Sequence, residues 1–289
     1  MRITKLYAPW SLQFFSPRMK KRYGFDGYYD PYSKNDRRIP IVVFGCYGRG
    51  TKADIMNHPG LVVIVWSGSD STRLHEMGSF VKFCKANTHR IFHIAHSHWI
   101  QTALDHFGLT YIDRVVLPAD FSRFSFEEEC GNSVYHYGTH QRMWYYGTAI
   151  MKKLEKKWGG SQHYPKIHKT VQNAYSQDEL YNLYKDSFMG VRLTEHDNMA
   201  LSCIEMGLMG RRSIFNGNIP CAIPYPCHPY DRYEPETRRR WVWQDESILG
   251  VVEKMILEYM GTKPDKLLAE EMAEFVHDDE DWLDTKFYE

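Results

Sequence analysis

The chain has 289 residues, 43% of them apolar and 25% charged, enough to bury one large core or two ordinary ones, which excludes wholesale disorder. Lys+Arg and Asp+Glu both number 36, so bulk electrostatic coating of nucleic acid is excluded and only local basic patches remain open. No run approaches ~18 uninterrupted apolar residues, and the start at Met1–Lys5 leads into no apolar core, so neither a membrane span nor a secretory leader is expected. The six cysteines (Cys46, Cys84, Cys130, Cys203, Cys221, Cys227) are scattered without a C-x-x-C pair and read as reduced thiols of a cytoplasmic protein.

In chain order, Arg18, Lys20, Lys21 and Arg22 come first, followed by Tyr23, Phe25, Tyr28, Tyr29 and Tyr32. Such a segment can grip phosphate and stack on bases or sugars, or it can be a solvated basic loop with its aromatics packed on a domain edge. Ile41–Phe44 and Leu61–Trp66 are unbroken apolar runs, as in strands covered on both faces, and Pro40 fits where no ladder donor is needed. Gly45, Gly48 and Gly50 form a G-x-x-G-x-G loop after the first of these, without the dinucleotide-binding spacing; a tight turn accounts for it equally. Ser67, Gly68, Ser69 and Asp70 follow the second strand and should lie at the sheet's carboxyl edge. Hydroxyls and one carboxylate there suit hydrogen bonding to a sugar or phosphate, or a turn in which Ser69 or Asp70 caps the next helix.

Ile91–Ile94 and Arg114–Leu117 repeat the strand pattern, with Trp99, Ala103, Leu104 and Phe107 on one helical face between them and Gly108 as a stop. Strand, helix, strand at this spacing makes a parallel crossover. His96 and Ser97, at a strand end, are placed to contact an acceptor or, for Ser97, to cap a helix. His93, His96 and His98 do not make a zinc site: His93 points to the opposite face of the strand from His96, and no fourth ligand is near.

Residues 117–131 interrupt the alternation with Pro118, a charge cluster and Gly131, which places a domain boundary at 130/131. The pattern then restarts with a strand over Ser133–Tyr137, a helix carrying Met143, Ile150, Leu154 and Trp158, and a strand over Lys166–Gln172. A helix with Leu180, Leu183 and Tyr184 follows, then strands over Phe188–Leu193 and Arg212–Phe215 flanking a further helix, and a late helix with Val252, Met255, Ile256 and Tyr259. Two doubly wound α/β halves are expected, facing a cleft at the carboxyl ends of their strands.

Residues 192–205 carry the most information. A polar loop leaves an apolar strand near Leu193 and a helix opens around Met199, so the amides of residues 198–201 (Asn198, Met199, Ala200, Leu201) become the free donors of a helix N-terminus. Glu205, further along that helix, can accept hydrogen bonds from a vicinal diol such as ribose. The same residues fit a helix capped by Asp197 or Asn198 with Glu205 in solvent.

The stretch from Asp197 to Glu205 resembles the E-x7-E region of retaining "group 1" glycosyltransferases of the GT-B superfamily, with Asp197 in place of the first Glu. Tyr175–Ser187 is similar to the family's short helix before that strand, Val134–Gly138 to the strand and glycine opening its donor domain, and Val116–Phe124 to the segment closing its first domain. The resemblance spans residues 40–260 and implies a GT-B-like α/β fold of two Rossmann-like domains. Residues 1–130 would be a shortened acceptor-side domain and 131–289 the domain for a nucleotide-diphosphate sugar such as UDP-glucose. It implies that Glu205 holds the ribose, that Asp197 sits by the sugar hydroxyls, and that the amides of Asn198–Leu201 face the diphosphate, with Gly138 and Thr139 beside the donor. The family's Arg–Lys pair after the opening glycine is missing, which leaves Arg142 as the nearby cation and Arg192 as its substitute.

The expected activity is thus metal-independent transfer of a hexose, with retention, onto a hydroxyl of a glycan, a small molecule or modified DNA, with no cofactor beyond the donor. Ser67, Gly68, Ser69, Asp70 and His96 would form the acceptor side. Two alternatives differ in kind: glucosylation of 5-hydroxymethylated bases in DNA, which the basic clusters at Arg18–Arg22 and Arg238–Arg240 would serve, and a catalytically silent nucleotide- or glycan-binding module. The acidic run Asp278–Asp281 reads as a solvated segment and not as a D-x-D metal motif.

Overall fold

Parallel strands cannot be joined by hairpins, so each short apolar run in this chain has to be followed by a crossover, and helices supply most of these. The computed structural model describes residues 3–68, 70–138, 146–170, 175–194, 197, 200–226 and 246–277. The chain divides into two units: one runs to Asp120 and takes the chain back from Val276, and the other is Phe121–Phe275. Each holds one five-stranded sheet, parallel at every pairing.

In the first unit the strands are β1 (Lys5–Tyr7), β2 (Gly27–Tyr28), β3 (Ile41–Phe44), β4 (Val62–Val65) and β5 (Ile91–Ile94), in the order β2-β1-β3-β4-β5. Helices α1 (Ser16–Tyr23), α2 (Gly48–Asn57), α3 (Gly78–Ala86) and α4 (His98–His106) connect or follow them. Ile41, Val43, Val62 and Ile64 pack on Ile55 of α2, Phe80 and Cys84 of α3 and Leu104 of α4. Val42 and Val63, which alternation turns to the other face, are fully buried too.

Strands β1 and β2 are not among the expected ones. The basic run Arg18–Arg22 is not a loop but the crossover helix α1 between them, with Met19 and Tyr23 on its buried side. Two of its charges have partners in the unit: Lys21 lies 3.2 Å from Asp120, and Arg22 donates to the Val276 carbonyl at 2.7 Å. The strand expected over Arg114–Leu117 does not form. The Tyr23 hydroxyl accepts from the Leu117 N–H at 2.8 Å and lies 3.2 Å from its carbonyl, so a side chain takes the place of a ladder. Only Ile112 makes an isolated parallel bridge, to Ile94.

In the second unit β6 (Ser133–His136), β7 (Lys166–Lys169), β8 (Ser187–Val191), β9 (Arg212–Ile214) and β10 (Ala222–Ile223) stand in the order β10-β9-β8-β6-β7. Counted from its own first strand, each sheet therefore has the same doubly wound order. The helices are α5 (Thr148–Trp158), α6 (Gln177–Lys185), α7 (Leu201–Leu208), α8 (Glu246–Tyr259) and α9 (Lys266–His277). Val134, Met189, Val191 and Ile214 pack on Met151 and Leu154 of α5 and on Val252 and Ile256 of α8. On the other face Gly190 lets α7 sit close, because a Cβ there would come within 2.5 Å of Ser213 Oγ and 2.8 Å of Met206 Sδ. The expected elements of this half are present with shifted ends, and β10 and α9 are additions. Among the described residues no helix is long and apolar enough to cross a membrane.

Each unit buries a neutral histidine in its sheet. His136 Nδ1 lies 3.1 Å from the Val191 carbonyl, which can only accept, so that nitrogen carries the proton and Nε2 accepts from the Thr148 hydroxyl at 3.0 Å. His93 Nδ1 accepts from the Trp66 indole N–H at 3.2 Å. Burial lowers both rings to a pKa of about 4. The unfolded chain, with rings near pKa ~6.5, then binds protons that the folded chain refuses, so stability is full above that value and falls as pH drops toward 4. Urea denaturation should show the unfolding free energy declining between about pH 6.5 and 4, by on the order of 1.4 kcal/mol per pH unit for each ring. Equal stability across that window would contradict the assignment.

Candidate functional site

In a sheet of this order the chain leaves neighbouring strands in opposite directions at one place, and the loops there part to form a crevice. In the second unit that place lies between β6 and β8, where Tyr137 and Gly138 follow one strand and Arg192, Leu193 and Thr194 follow the other.

Arg192 is only 7% exposed, and both its Nε and Nη2 reach Asp197 Oδ2. Its guanidinium carbon lies 4.1 Å from the Tyr137 ring centroid and 4.9 Å from that of Tyr146, two rings that meet edge to face. Nη1 comes to 3.5 Å from Ser202 Oγ in the first turn of α7. Burial by itself would disfavour the charge, but Asp197 and the two phenols outweigh it and keep Arg192 firmly protonated.

Helix α7 begins with Ala200 as its cap residue, whose side chain has nothing to offer the helix. Its carbonyl receives the Cys203 and Ile204 amides at 2.8 and 3.0 Å. The N–H groups of Leu201 and Ser202 precede the first of these bonds, so the positive end of the helix and the Arg192 cation meet at Ser202. The hydroxyl of Thr194, at 1% exposure, has no hydrogen-bond partner among the described residues.

Glu205 is one turn into α7, and it is buried at 8% exposure rather than solvated. Tyr184 of α6 donates to its Oε2 at 2.7 Å. Burial, Tyr135 and Glu205 together hold the Tyr184 phenol well above its ordinary pKa, so it remains a donor. Tyr135 packs edge to face on Tyr184 with ring centres 4.7 Å apart. Its hydroxyl lies 3.4 Å from that of Thr170, which sits 3.5 Å from the Gly138 amide. Gly138 and Glu205 are thus joined by a series of polar bonds with one ring-to-ring contact in the middle. The arrangement offers a buried cation and the first amides of α7 for an anion, with a fixed carboxylate for hydroxyl groups. Among the described residues no three His, Cys, Asp or Glu side chains gather closely enough to hold a metal ion.

No family model matches the sequence, and no curated protein does. Solved structures match it in the course of the backbone. TarM aligns with 84% of this chain and 51% of its own, at 11% identity and a TM-score of 0.49, so this chain spans about half of TarM's length. The sucrose-phosphate synthase of Thermosynechococcus elongatus aligns with 93% of this chain and 74% of its own, at 11% identity and a TM-score of 0.49. The UDP-forming α,α-trehalose-phosphate synthase of Burkholderia vietnamiensis does so with 93% and 82%, at 10% identity and a TM-score of 0.49. A likeness this distant says nothing about the substrate of this chain.

Of the expected donor-side residues, Arg192, Asp197, Ala200 and Leu201 come together, and Gly138 and Glu205 lie in the adjoining polar chain. Thr139, Arg142, Asn198 and Met199 lie outside the described residues, as do Ser69 and the Arg238–Arg240 cluster. Tyr137, Tyr146, Tyr184 and Ser202 were not anticipated. Tyr137 closes the strand expected over Ser133–Tyr137, and that position is the signal the sequence offers.

On the first unit, Asp70 is turned inward at 1% exposure, and its carboxylate accepts from the amides of Cys46 at 2.8 Å, Ser67 at 3.2 Å and Ser71 at 3.0 Å. Burial raises its pKa against the pull of those amide bonds. The carboxylate expected to face an acceptor therefore ties the loop after β4 to the loop after β3 and caps the turn that follows. Ser67 donates to the Tyr47 hydroxyl at 3.2 Å, and half-buried Gly68 accepts from Ser71 Oγ at 2.8 Å. His96 Nδ1 is 3.8 Å from Asp113, and Ser97 caps α4. Asp70→Ala, which strands several buried amides at once, should lower the unfolding free energy by about 3 kcal/mol in denaturant titration. An unchanged midpoint would return Asp70 to the acceptor side.

Proposed function

We propose that the chain is a GT-B-type glycosyltransferase that moves a sugar from a nucleotide-diphosphate sugar to a hydroxyl of a glycan or small molecule, with retention and without a metal ion. The observation that carries this is the buried Arg192, aimed by Asp197 and two tyrosine rings, beside the N-terminus of α7, whose cap residue Ala200 makes no side-chain cap bond. A departing nucleotide diphosphate needs positive charge already in place where its own negative charge develops. The guanidinium and the amides of Leu201 and Ser202 supply it in a setting from which water is largely removed. They take the role left open by the missing Arg–Lys pair after Gly138.

Glu205 in this scheme accepts hydrogen bonds from the ribose diol of the donor. Tyr184 fixes one carboxylate oxygen, so the group is oriented before a ligand arrives. Retention follows from the resemblance of residues 192–205 to the retaining enzymes, with attack on the face from which the diphosphate leaves.

Calorimetric titration with UDP and UDP-glucose, and assay of UDP-glucose hydrolysis, test the proposal. Arg192→Met should weaken UDP binding by about 1.5–3 kcal/mol and abolish turnover, and Glu205→Ala should weaken it by about 1–3 kcal/mol. Melting curves run alongside will show whether either variant still folds. Donor affinity unchanged in both folded variants would sink the assignment of this site.

A further inference from the structure

The strands of the second sheet have amino ends as well, and a second concavity lies there. It is a groove of about 690 Å³ against the first residues of β6 and β7, the end of α5 and Asp186 just ahead of β8. The length of β8 separates its Asp186 from Arg192 by about 20 Å at ~3.3 Å per residue. Its size falls within the ~300–1,000 Å³ usual for small-molecule sites. β7 is the edge strand of the sheet, so the flank of the groove is open.

One wall of the groove is aromatic and stiff. Trp158 and Tyr164 stack with planes 3° apart and ring centres 5.5 Å apart. Trp158 is buried, and its indole N–H donates to Glu253 at 3.0 Å, so it backs the half-buried Tyr164 as a fixed plate. The opposite side is polar. Asp186 accepts from Ser133 Oγ at 2.8 Å and pairs with His168 Nε2 at 2.6 Å. Burial alone would raise its pKa, but those bonds more than reverse this and keep the carboxylate ionised. The amides of Asn132 and Gln162 sit at the exposed rim.

Charge decides what such a groove accepts. Helices α5 and α6 both end here with their negative poles, and Asp186 and Glu155 share the lining with Lys166 and His168, so the groove carries no strong charge of either sign. Glu155 is already paired with Lys169, and Asp186 with His168, so neither waits for a cation. What suits a rigid aromatic plate, fixed acceptors and amides that both donate and accept is a neutral molecule with one flat C–H face and many hydroxyls. We infer that this groove binds a neutral saccharide unit, stacked on Tyr164, with its hydroxyls donating to Asp186 and bonding to Asn132 and Gln162. The inference rests on the groove's own residues and not on the donor site.

Saturation-transfer NMR on the full chain with maltotetraose and chitotetraose tests it. At least one oligosaccharide should receive saturation, about tenfold less at equal concentration in Tyr164→Ala and clearly less in Gln162→Ala, while Arg192→Met leaves the signal intact. No transfer to either oligosaccharide would overturn the inference. So would a signal that survives Tyr164→Ala but disappears in Arg192→Met, which would place the sugar at the carboxyl edge. If Tyr164→Ala does not fold because Trp158 loses its cover, the exposed Gln162→Ala decides, and an undiminished signal there is fatal.

Discussion

A guanidinium buried at the end of a parallel strand is tolerated only when its charge is answered on the spot. Arg192 meets that condition with groups from several segments. Tyr137 comes from the end of β6, Tyr146 from just before α5, Asp197 from the loop after β8, and Ser202 from the first turn of α7. Because each contributor is anchored in a different element, the loops at this edge must converge on a single point. His136 strengthens the convergence from below, bridging the end of β8 to the start of α5 with a ring that burial keeps neutral. Gly147 completes it. Its left-handed backbone at φ 69 carries no side chain, and a Cβ there would press within 2.5 Å of Leu193 Cβ, next to Arg192 itself.

The two units share a strand order and put opposite chemistry on their carboxyl edges. In the second, a buried cation gathers a carboxylate and two ring faces, and the positive end of α7 lies beside it. In the first, a buried carboxylate gathers backbone amides and closes its own loops: Asp70 satisfies donors that would otherwise point into the edge of the sheet. Topology therefore fixes where a site can be, and the polarity of one or two buried groups decides whether that place is open to a ligand or sealed. Motif spacing alone could not make that distinction, since Ser67–Asp70 and Asp197–Glu205 both follow strands and both contain a carboxylate.

Much of the architecture was legible because strands covered on both faces leave continuous β-branched runs such as Ile41–Phe44 and Leu61–Trp66. β1, β2 and β10 are two or three residues long and carry no such run, so nothing set them apart from loops. Arg114–Leu117 failed for the converse reason: its composition is that of a strand, but Tyr23, far away in the sequence, takes the backbone groups of Leu117. In the site, the strand–loop–helix order and the carboxylate at Glu205 could be read from spacing. Its burial under Tyr184, and the aromatic cage of Arg192, depend on contacts across the sheet, and in sequence these tyrosines look like any other core aromatics.

The short outer strands have a consequence for how the protein behaves among copies of itself. A long bare strand at a sheet's rim offers a row of unpaired N–H and C=O groups to any passing chain. Here β2 and β10 are two residues each, too short to template a partner. The fourth residue of β5 is already bridged by Ile112. β7, the remaining rim, begins with the exposed Lys166, whose charge two neighbouring molecules brought together along it would set against its own copy. Two parallel sheets are in this way kept from growing into one another, and a chain with no net charge to hold its copies apart gains a local means of staying dispersed.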